Sequence, residues 1–413
     1  MSSLPYPIRL PALADAQLTR VGQKSPEDIV VVSAVRTAMT KGRKGGFKDT
    51  LADELLANVL KALLTKTGID PALVQDIVVG NVAAKAGLAT PARMAALYAG
   101  FPESTSVATL NRQCSSGLQA CVQIATAIQA GLIDIGIGAG VESMTHDYFS
   151  REVKVSEKLA STSAAANDCK LPMGLTSENV ATEYGITREE QDAFSVDSHK
   201  KAAAAQAAGW FKEEIVPVEA TIVDKDGNSK TIVVDQDEGI RANSSLEGLA
   251  KLKPVFKKDG STTAGNASQI SDGAAAVLLM KRKTALALKL PILGKYVTAC
   301  SVGVPPHVMG IGPAYAIPVV LERAGLGIND VDIYEINEAF ASQALYTVKA
   351  LGIPHEKVNP KGGAIALGHP LGCTGARQVA TLFPELHRTD KRIGITSMCV
   401  GTGIGMAAIW ERE

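Results

Sequence analysis

The order of apolar patterns in this chain occurs twice. From Ile29 onward, short β-branched runs alternate with amphipathic stretches of helical period: strand 29–35, helix 51–67, strand 76–82, helix 91–99, strand 106–111, helix 115–130, strand 133–141. After residue 292 a similar order returns, with strand 292–302, helix 314–325, strand 331–336, helices 338–351 and 373–387, and strands 393–399 and 405–410. The correspondence extends to detail. Cys114-Ser-Ser-Gly117 matches Gly372-Cys-Thr-Gly375, and Ile135–Gly140 matches Ile395–Gly401. A repeat this long describes two fused half-domains and not a solenoid. The alternation of strand and helix predicts an α/β chain whose mostly parallel sheet is covered by helices.

The 413 residues are enough for two or three domains of roughly 150 residues each. Residues 1–28 lack a sustained period and form an N-terminal extension, while 150–262 are richer in charge and form an inserted loop domain. The remainder divides into an N-terminal half, 29–149 with 263–289, and a C-terminal half, 290–413. Forty-two basic and forty-two acidic side chains cancel, which argues against nucleic acid as a partner, because phosphate binding needs excess Lys and Arg. No run approaches the ~18 to 20 apolar residues of a membrane span. Six cysteines without a CxxC pair point to free thiols in a reducing compartment.

Cys114 lies in NRQCSSGLQA, where an apolar strand stops and small residues open a helix. The unpaired N–H groups and positive dipole end of a helix N-terminus favour thiolate, so this is a position for an activated nucleophile. The alternative is a small buried core residue. Activation alone achieves little. Lowering a thiol pKa from ~8.5 to ~6.5 raises the thiolate fraction at pH 7 about 25-fold, and a Brønsted coefficient of ~0.45 takes back nearly tenfold. Other groups must supply most of any catalysis. His369, in GGAIALGHPLGCTGAR, occupies the duplicated counterpart of the Cys114 turn. Equivalent turns of two halves can meet at the centre and bring an imidazole base to the thiol, although a His between Gly and Pro is also an ordinary turn residue.

Cys399, in SMCVGTGIG, ends a strand and precedes glycines at 401, 403 and 405. A second thiol beside exposed backbone N–H groups suits an acid/base next to an oxyanion pocket; the plain alternative is a small core side chain before a turn. Neither this glycine run nor GIGAG at 136–140 has the spacing of a dinucleotide fingerprint, which disfavours a nicotinamide oxidoreductase. Cys114, His369, Cys373 and Cys399 lack the paired short spacings of structural zinc, so no metal site is expected. Asn337, in INEAFASQAL, stands where a strand gives way to a helix. It is either an N-cap or a polar group at the mouth of the sheet.

Taken in order, NRQCSSGLQA, GVESM (140–144), PMGLTSENVA (172–181), AGNASQISDGAA (264–275), MGIGPAYAIP (309–318), INEAFASQAL, GHPLGCTGARQ (368–378) and MCVGTGIG resemble the thiolase family, most closely its peroxisomal 3-ketoacyl-CoA members, from residue 28 to 413. The resemblance implies a five-layered α-β-α-β-α thiolase fold built from two similar halves, with a loop domain over coenzyme A, in a homodimer. It implies thiolytic cleavage of 3-ketoacyl-CoA to acetyl-CoA and a shortened acyl-CoA, the last step of fatty acid β-oxidation, with coenzyme A as cosubstrate and no permanently bound cofactor. By the same resemblance Cys114 accepts the acyl group, His369 activates it, and Cys399 is acid/base for the acetyl-CoA carbanion. Asn337 holds a water that joins His369 in one oxyanion hole, and the N–H groups of Cys114 and Gly401 form the other. Ser268, Ala264 and Met173 border the coenzyme, and Arg241 lies near its nucleotide phosphates.

A condensing relative, a biosynthetic acetoacetyl-CoA thiolase, is the alternative within the family. Pro172 precedes Met173 where acetoacetyl-CoA-specific relatives carry His, which implies a preference for longer acyl chains. Arg9-Leu10 followed by Gln17-Leu18 resembles an N-terminal peroxisomal signal, with six residues between the pairs where the family has five. It implies a peroxisomal matrix protein and an import receptor as partner.

Overall fold

The computed structural model describes residues 21–150 and 154–413. The Arg9–Leu18 segment lies outside the described residues. Within the first half run β1 (Ile29–Arg36), α1 (Ala52–Thr67), β2 (Asp76–Gly80), α2 (Ala89–Ala99), β3 (Ser106–Leu110), α3 (Ser116–Gln129) and β4 (Ile135–Ser143). Next come α4 (Met173–Glu183), α5 (Arg188–Ala207) and a hairpin of β5 (Val218–Val223) and β6 (Ser229–Val234). After them follow β7 (Ser271–Lys281), β8 (Gly294–Gly303), α6 (Gly312–Ala324), β9 (Ile333–Ile336), α7 (Ala341–Leu351), α8 (Leu371–Arg388), β10 (Ile393–Val400) and β11 (Ile404–Arg412).

The long strands form one hydrogen-bonded path, β9-β10-β11-β8-β1-β7-β4-β2-β3. Among the described residues its two stretches are paired through Val30 with Lys295 and Val31 with Gly294, beside a bond from the Leu293 N–H to the Val31 carbonyl. Side-chain alternation explains how they become two layers, because successive residues of a strand face opposite sides. Val30, Val32, Ala276 and Leu278 point one way, onto Leu55, Leu56 and Leu60 of α1. Ile29, Val31, Val277 and Leu279 point the other way, into a core they share with α3, α8 and Met406 and Trp410 of β11. The opposite face of β11, Ala407 and Ile409, packs on Ile317 and Val320 of α6. The order is therefore outer helices, sheet, α3 with α8, sheet, outer helices. This is the five-layered α-β-α-β-α architecture that the resemblance to the thiolase family implies.

The sheet is not mostly parallel, contrary to expectation. Parallel pairing is confined to β2 with β3, β2 with β4 and β9 with β10. The others, β4–β7, β7–β1, β1–β8, β8–β11 and β11–β10, are antiparallel. Two causes account for the difference. The strand β7, which the periodicity does not reveal, enters between β1 and β4 from the long segment after residue 150, not by a helical crossover. The last two strands are joined by the tight turn Gly401–Gly403, which forces an antiparallel hairpin.

The end of the N-terminal extension is fastened to the C-terminal strand. The Gly22 N–H donates to both carboxylate oxygens of Glu411, at 2.9 and 3.1 Å, and Arg282 pairs with both Asp28 and Glu413. Between the halves and the excursion lies a fully buried cluster in which Arg36 pairs with Glu214 and Asp237, and Lys361 with Glu214. Each of these charges has a counter-ion, which is the condition for tolerating charge in a core.

The two central helices approach backbone to backbone. A Cβ on Gly117 would stand 2.6 Å from the Gly372 carbonyl, and one on Gly375 only 2.1 Å from the Leu118 nitrogen. Gly to Ala inside a helix ordinarily stabilises by up to ~1 kcal/mol. Here Gly117→Ala and Gly375→Ala are expected to destabilise by roughly 1–3 kcal/mol or more. Gly303→Ala, where a Cβ meets open space, should leave the guanidinium unfolding midpoint unchanged.

Candidate active site

Cys114 sits in the turn between β3 and α3, two residues ahead of the helix, and is buried. The turn is held by its own side chains. The Ser115 hydroxyl donates to the Arg112 carbonyl at 2.9 Å, the Ser116 hydroxyl to the Gln113 carbonyl at 2.6 Å, and the Gln113 N–H to Asn111 Oδ1 at 2.9 Å. Gln113 has φ of 47°, a sparsely populated conformation that over-determined surroundings maintain.

His369 is buried just before α8, and its environment defines the tautomer. Asn337 Nδ2 lies 3.3 Å from Nε2, and Thr374 Oγ1 lies 2.6 Å from Nδ1. The Thr374 hydroxyl also donates to the Pro370 carbonyl. An amide N–H can only donate, so Nε2 accepts, Nδ1–H donates to Thr374, and Thr374 donates onward. Burial, reinforced by the charge of Arg377, drives the imidazole pKa down from 6.5 to about 3. His369 is a neutral base with its lone pair on Nε2.

Asn337 follows β9 and does not cap α7, whose N-cap is Phe340. Its own N–H donates to the Ser397 carbonyl at 2.9 Å, and Gln343 Nε2 donates to its carbonyl at 3.1 Å. These bonds free the side chain for His369. Asn337 Oδ1 is buried with no hydrogen-bond partner among the described residues.

Cys399 lies at the end of β10, fully buried. Its thiol is pushed well above the usual range, first by burial and then by the negative charge of Cys114. It packs among Met309, Ala339 and Phe340, with Met173 and Ala267 bordering the same cluster. Gly401, two residues on, faces Gln113: a Cβ there would meet Gln113 Cγ at 3.6 Å. Ser268 donates its N–H to the Ala339 carbonyl at 2.9 Å, which lays the 264–268 segment along this wall. Phe256 extends it, at 6.4 Å from the Phe340 ring.

The structure thus pairs His369 with Asn337, sets Cys399 within electrostatic reach of Cys114 and lays Gly401 against Gln113, with Met173 and Ser268 at the margin of the Cys399 cluster. Ala264 and Arg241 stay on the surface, and the Arg241 N–H donates to His199 Nδ1 at 3.2 Å. Cys373 is packed in the central core with its pKa pushed up to about 12 by burial. Among the described residues no group of three or more His, Cys, Asp and Glu side chains is placed to hold a metal ion, and no helix is long and apolar enough to cross a membrane. Thr374 and Glu142 are two further buried polar residues beside these groups. The latter is buried on β4, where burial raises its pKa to about 7. A lone acid inside the apolar, glycine-rich strand IGIGAGVES was the available signal.

Residues 29–283 match the family profile "Thiolase, N-terminal domain", and residues 290–412 match "Thiolase, C-terminal domain". The chain belongs to the thiolase family. It is 55% identical over 396 residues to the peroxisomal 3-ketoacyl-CoA thiolase of Yarrowia lipolytica, covering 96% of each chain. The crystal structure of the dimeric peroxisomal thiolase of Saccharomyces cerevisiae superposes with a TM-score of 0.88 at 49% identity, covering 95% of this chain and 99% of that one. The human mitochondrial 3-ketoacyl-CoA thiolase in complex with CoA superposes with a TM-score of 0.84 at 35% identity, covering 94% and 98%. This thiolase therefore has the thiolase fold along nearly its whole length.

The depressed His369 pKa makes stability pH-dependent. The unfolded imidazole takes a proton as pH falls through 6.5, and the folded one does so only near 3. Stability is lost across that window by roughly 1.4 kcal/mol per pH unit for this one group. Urea unfolding of His369→Ala across the same window should show a slope shallower by about one proton.

Proposed function

We propose that this chain cleaves 3-ketoacyl-CoA with coenzyme A, giving acetyl-CoA and an acyl-CoA two carbons shorter, as the last step of β-oxidation in the peroxisome. Its likeness to peroxisomal 3-ketoacyl-CoA thiolases supports the activity and the compartment. The observation that carries the assignment of roles is the meeting of two thiols whose ionised states are stabilised unequally. Cys114 stands beside a helix N-terminus, and Cys399 is kept protonated first by burial and then by the charge that an ionised Cys114 would carry.

The steps follow from these states. His369 Nε2 takes the Cys114 proton, and the thiolate attacks the C3 ketone. The resulting oxyanion collapses and breaks the C2–C3 bond, leaving an acyl thioester on Cys114 and the acetyl-CoA enolate. Cys399 gives its proton to the enolate carbon. The Cys399 thiolate then takes the proton of an incoming coenzyme A thiol, whose sulfur attacks the acyl-Cys114 thioester; the Cys114 sulfur leaves as the shortened acyl-CoA forms and takes back the proton that His369 carried. Two oxyanions need donors. One site is the protonated His369 with a water held by Asn337, whose unpartnered Oδ1 supports this role. The other is the pair of N–H groups of Cys114 and Gly401. Such donors are worth about 10² to 10³ each, more than the thiol tuning.

The 150–262 segment, with Ser268, Ala264 and Met173, covers the pantetheine arm, and the exposed Arg241 meets the nucleotide phosphates. No further cofactor is needed by these steps. The chain works as a homodimer. Support comes from the edge strand β3 at the end of the sheet and from Met94, Leu97 and Tyr98, which are 59, 41 and 81% exposed on α2. An import receptor reads the N-terminal segment.

The thiols should separate by half-reaction. Cys114→Ala loses both cleavage and acyl exchange between an acyl-CoA and labelled coenzyme A. Cys399→Ala depresses cleavage by about 10² to 10⁴ while exchange, which makes no carbanion, survives better. A cleavage-to-exchange ratio equal to the parent's in folded Cys399→Ala protein would remove its role as acid. Chain length forms a second test. Pro172 offers no side-chain hydrogen bond at the start of α4, so kcat/KM should rise from acetoacetyl-CoA to 3-ketooctanoyl-CoA. The discrimination should be broad, because a pocket distinguishes one methylene by only ~1 to 3 kcal/mol. The highest kcat/KM at acetoacetyl-CoA would contradict this.

A further inference from the structure

Glu142 is a fully buried carboxylate on β4 that receives four N–H donors. Oε1 accepts from Asn81 Nδ2 at 3.1 Å and from the Ala83 N–H at 3.0 Å, both in the loop after β2. Oε2 accepts from the Val82 N–H at 3.0 Å and from the Gly372 N–H at 2.8 Å. The last donor belongs to the other half of the chain. Gly372 is the second residue of α8, whose N-cap, Pro370, has no side chain able to accept a hydrogen bond. The free N–H groups at the start of a helix need an acceptor, and here Glu142 supplies it from across the molecular centre.

The contact lies where both catalytic turns converge. A Cβ on Gly140 would stand 2.2 Å from the Gly372 carbonyl, and one on Gly117 would stand 2.6 Å from the same atom. Gly117 is three residues after Cys114, and Gly372 three residues after His369. One helical position further along α8 than Cys373, Thr374 holds Nδ1 of the imidazole. Fixing the first turn of α8 therefore fixes both the backbone and the side-chain partner of His369.

We infer that Glu142 is a positioning residue for the reaction: from the first half, its carboxylate caps the helix that follows His369 and sets the imidazole against Cys114. The inference rests on His369 being the base for Cys114. Glu142→Gln preserves shape but has only one accepting oxygen, so its N–H₂ group must face two of the four donors.

The test is a double-mutant cycle on the full chain with two readouts: the rate of Cys114 alkylation by iodoacetamide, located by mass spectrometry, and the kcat and KM of thiolysis. Glu142→Gln should slow alkylation and lower kcat by about tenfold or more while KM for coenzyme A moves less than about twofold. In a His369→Ala background the same substitution should change alkylation by less than about twofold, because the group it positions is gone. An equal loss in both backgrounds, or no loss in either, would overturn this inference alone. Equal alkylation of His369→Ala and the parent protein would overturn the base assignment and this inference with it. Thermal unfolding and size exclusion report folding. If Glu142→Gln does not fold, Glu142→Asp, a carboxylate one methylene short, takes its place in the cycle. Failure of both to fold would assign the carboxylate to the fold instead of to His369 and would overturn the inference.

Discussion

The active site depends on the contact of two helices whose backbones touch. α3 and α8 stand in the middle of the five layers and come from opposite halves of the chain. Where they meet, glycine replaces side chains, so that Gly117 and Gly375 each press against the partner's main chain. Dispersion between close-packed atoms is short-ranged and additive, so a seam of this kind holds a fixed separation better than flexible side chains would. The Cys114 turn and the His369 turn each precede one of these helices. The accuracy of the site is therefore set by backbone packing outside it.

Desolvation gives the packed groups their chemistry. His369 is held neutral and Cys399 protonated mainly because water is excluded from around them. The same exclusion strengthens hydrogen bonds to any oxyanion formed beside them. Two thiols in one chain thus meet different environments without differing in composition, because one ends a buried strand and the other precedes a helix.

Much of this was legible in the sequence, because hydrophobic period reports local structure directly. The strands at 29, 76, 106, 135 and 393 and the helices at 52, 116 and 371 lie within a few residues of their expected bounds. Cys114, His369 and Cys399 stood out as reactive side chains among small residues at strand and helix ends. The omissions share a different cause. Ser271–Lys281, with its run of alanine and leucine, has little intrinsic strand preference; it is a strand because β1 and β4 leave a slot for it. Without that strand, the expected sheet was too parallel. Asn337 has the sequence context of a helix cap, but the helix is capped three residues later by Phe340, and the Asn337 side chain turns to His369, 32 residues away. The partners of Glu142 lie 59 to 230 residues distant, beyond the reach of any local pattern.

The placement of β7 also governs the order in which the chain can assemble. β1 leaves the ribosome early, yet its neighbours on both sides are distant: Ile29 pairs with Lys281, and Val30 with Lys295. Until those residues are synthesised, β1 and β4 present open edges with apolar faces, the state most exposed to aggregation. Contacts so remote in sequence also slow closure, because the loop entropy must be overcome before they form. The first half thus cannot close its sheet until Lys281 has been synthesised. Its completion waits for the whole inserted segment that precedes β7.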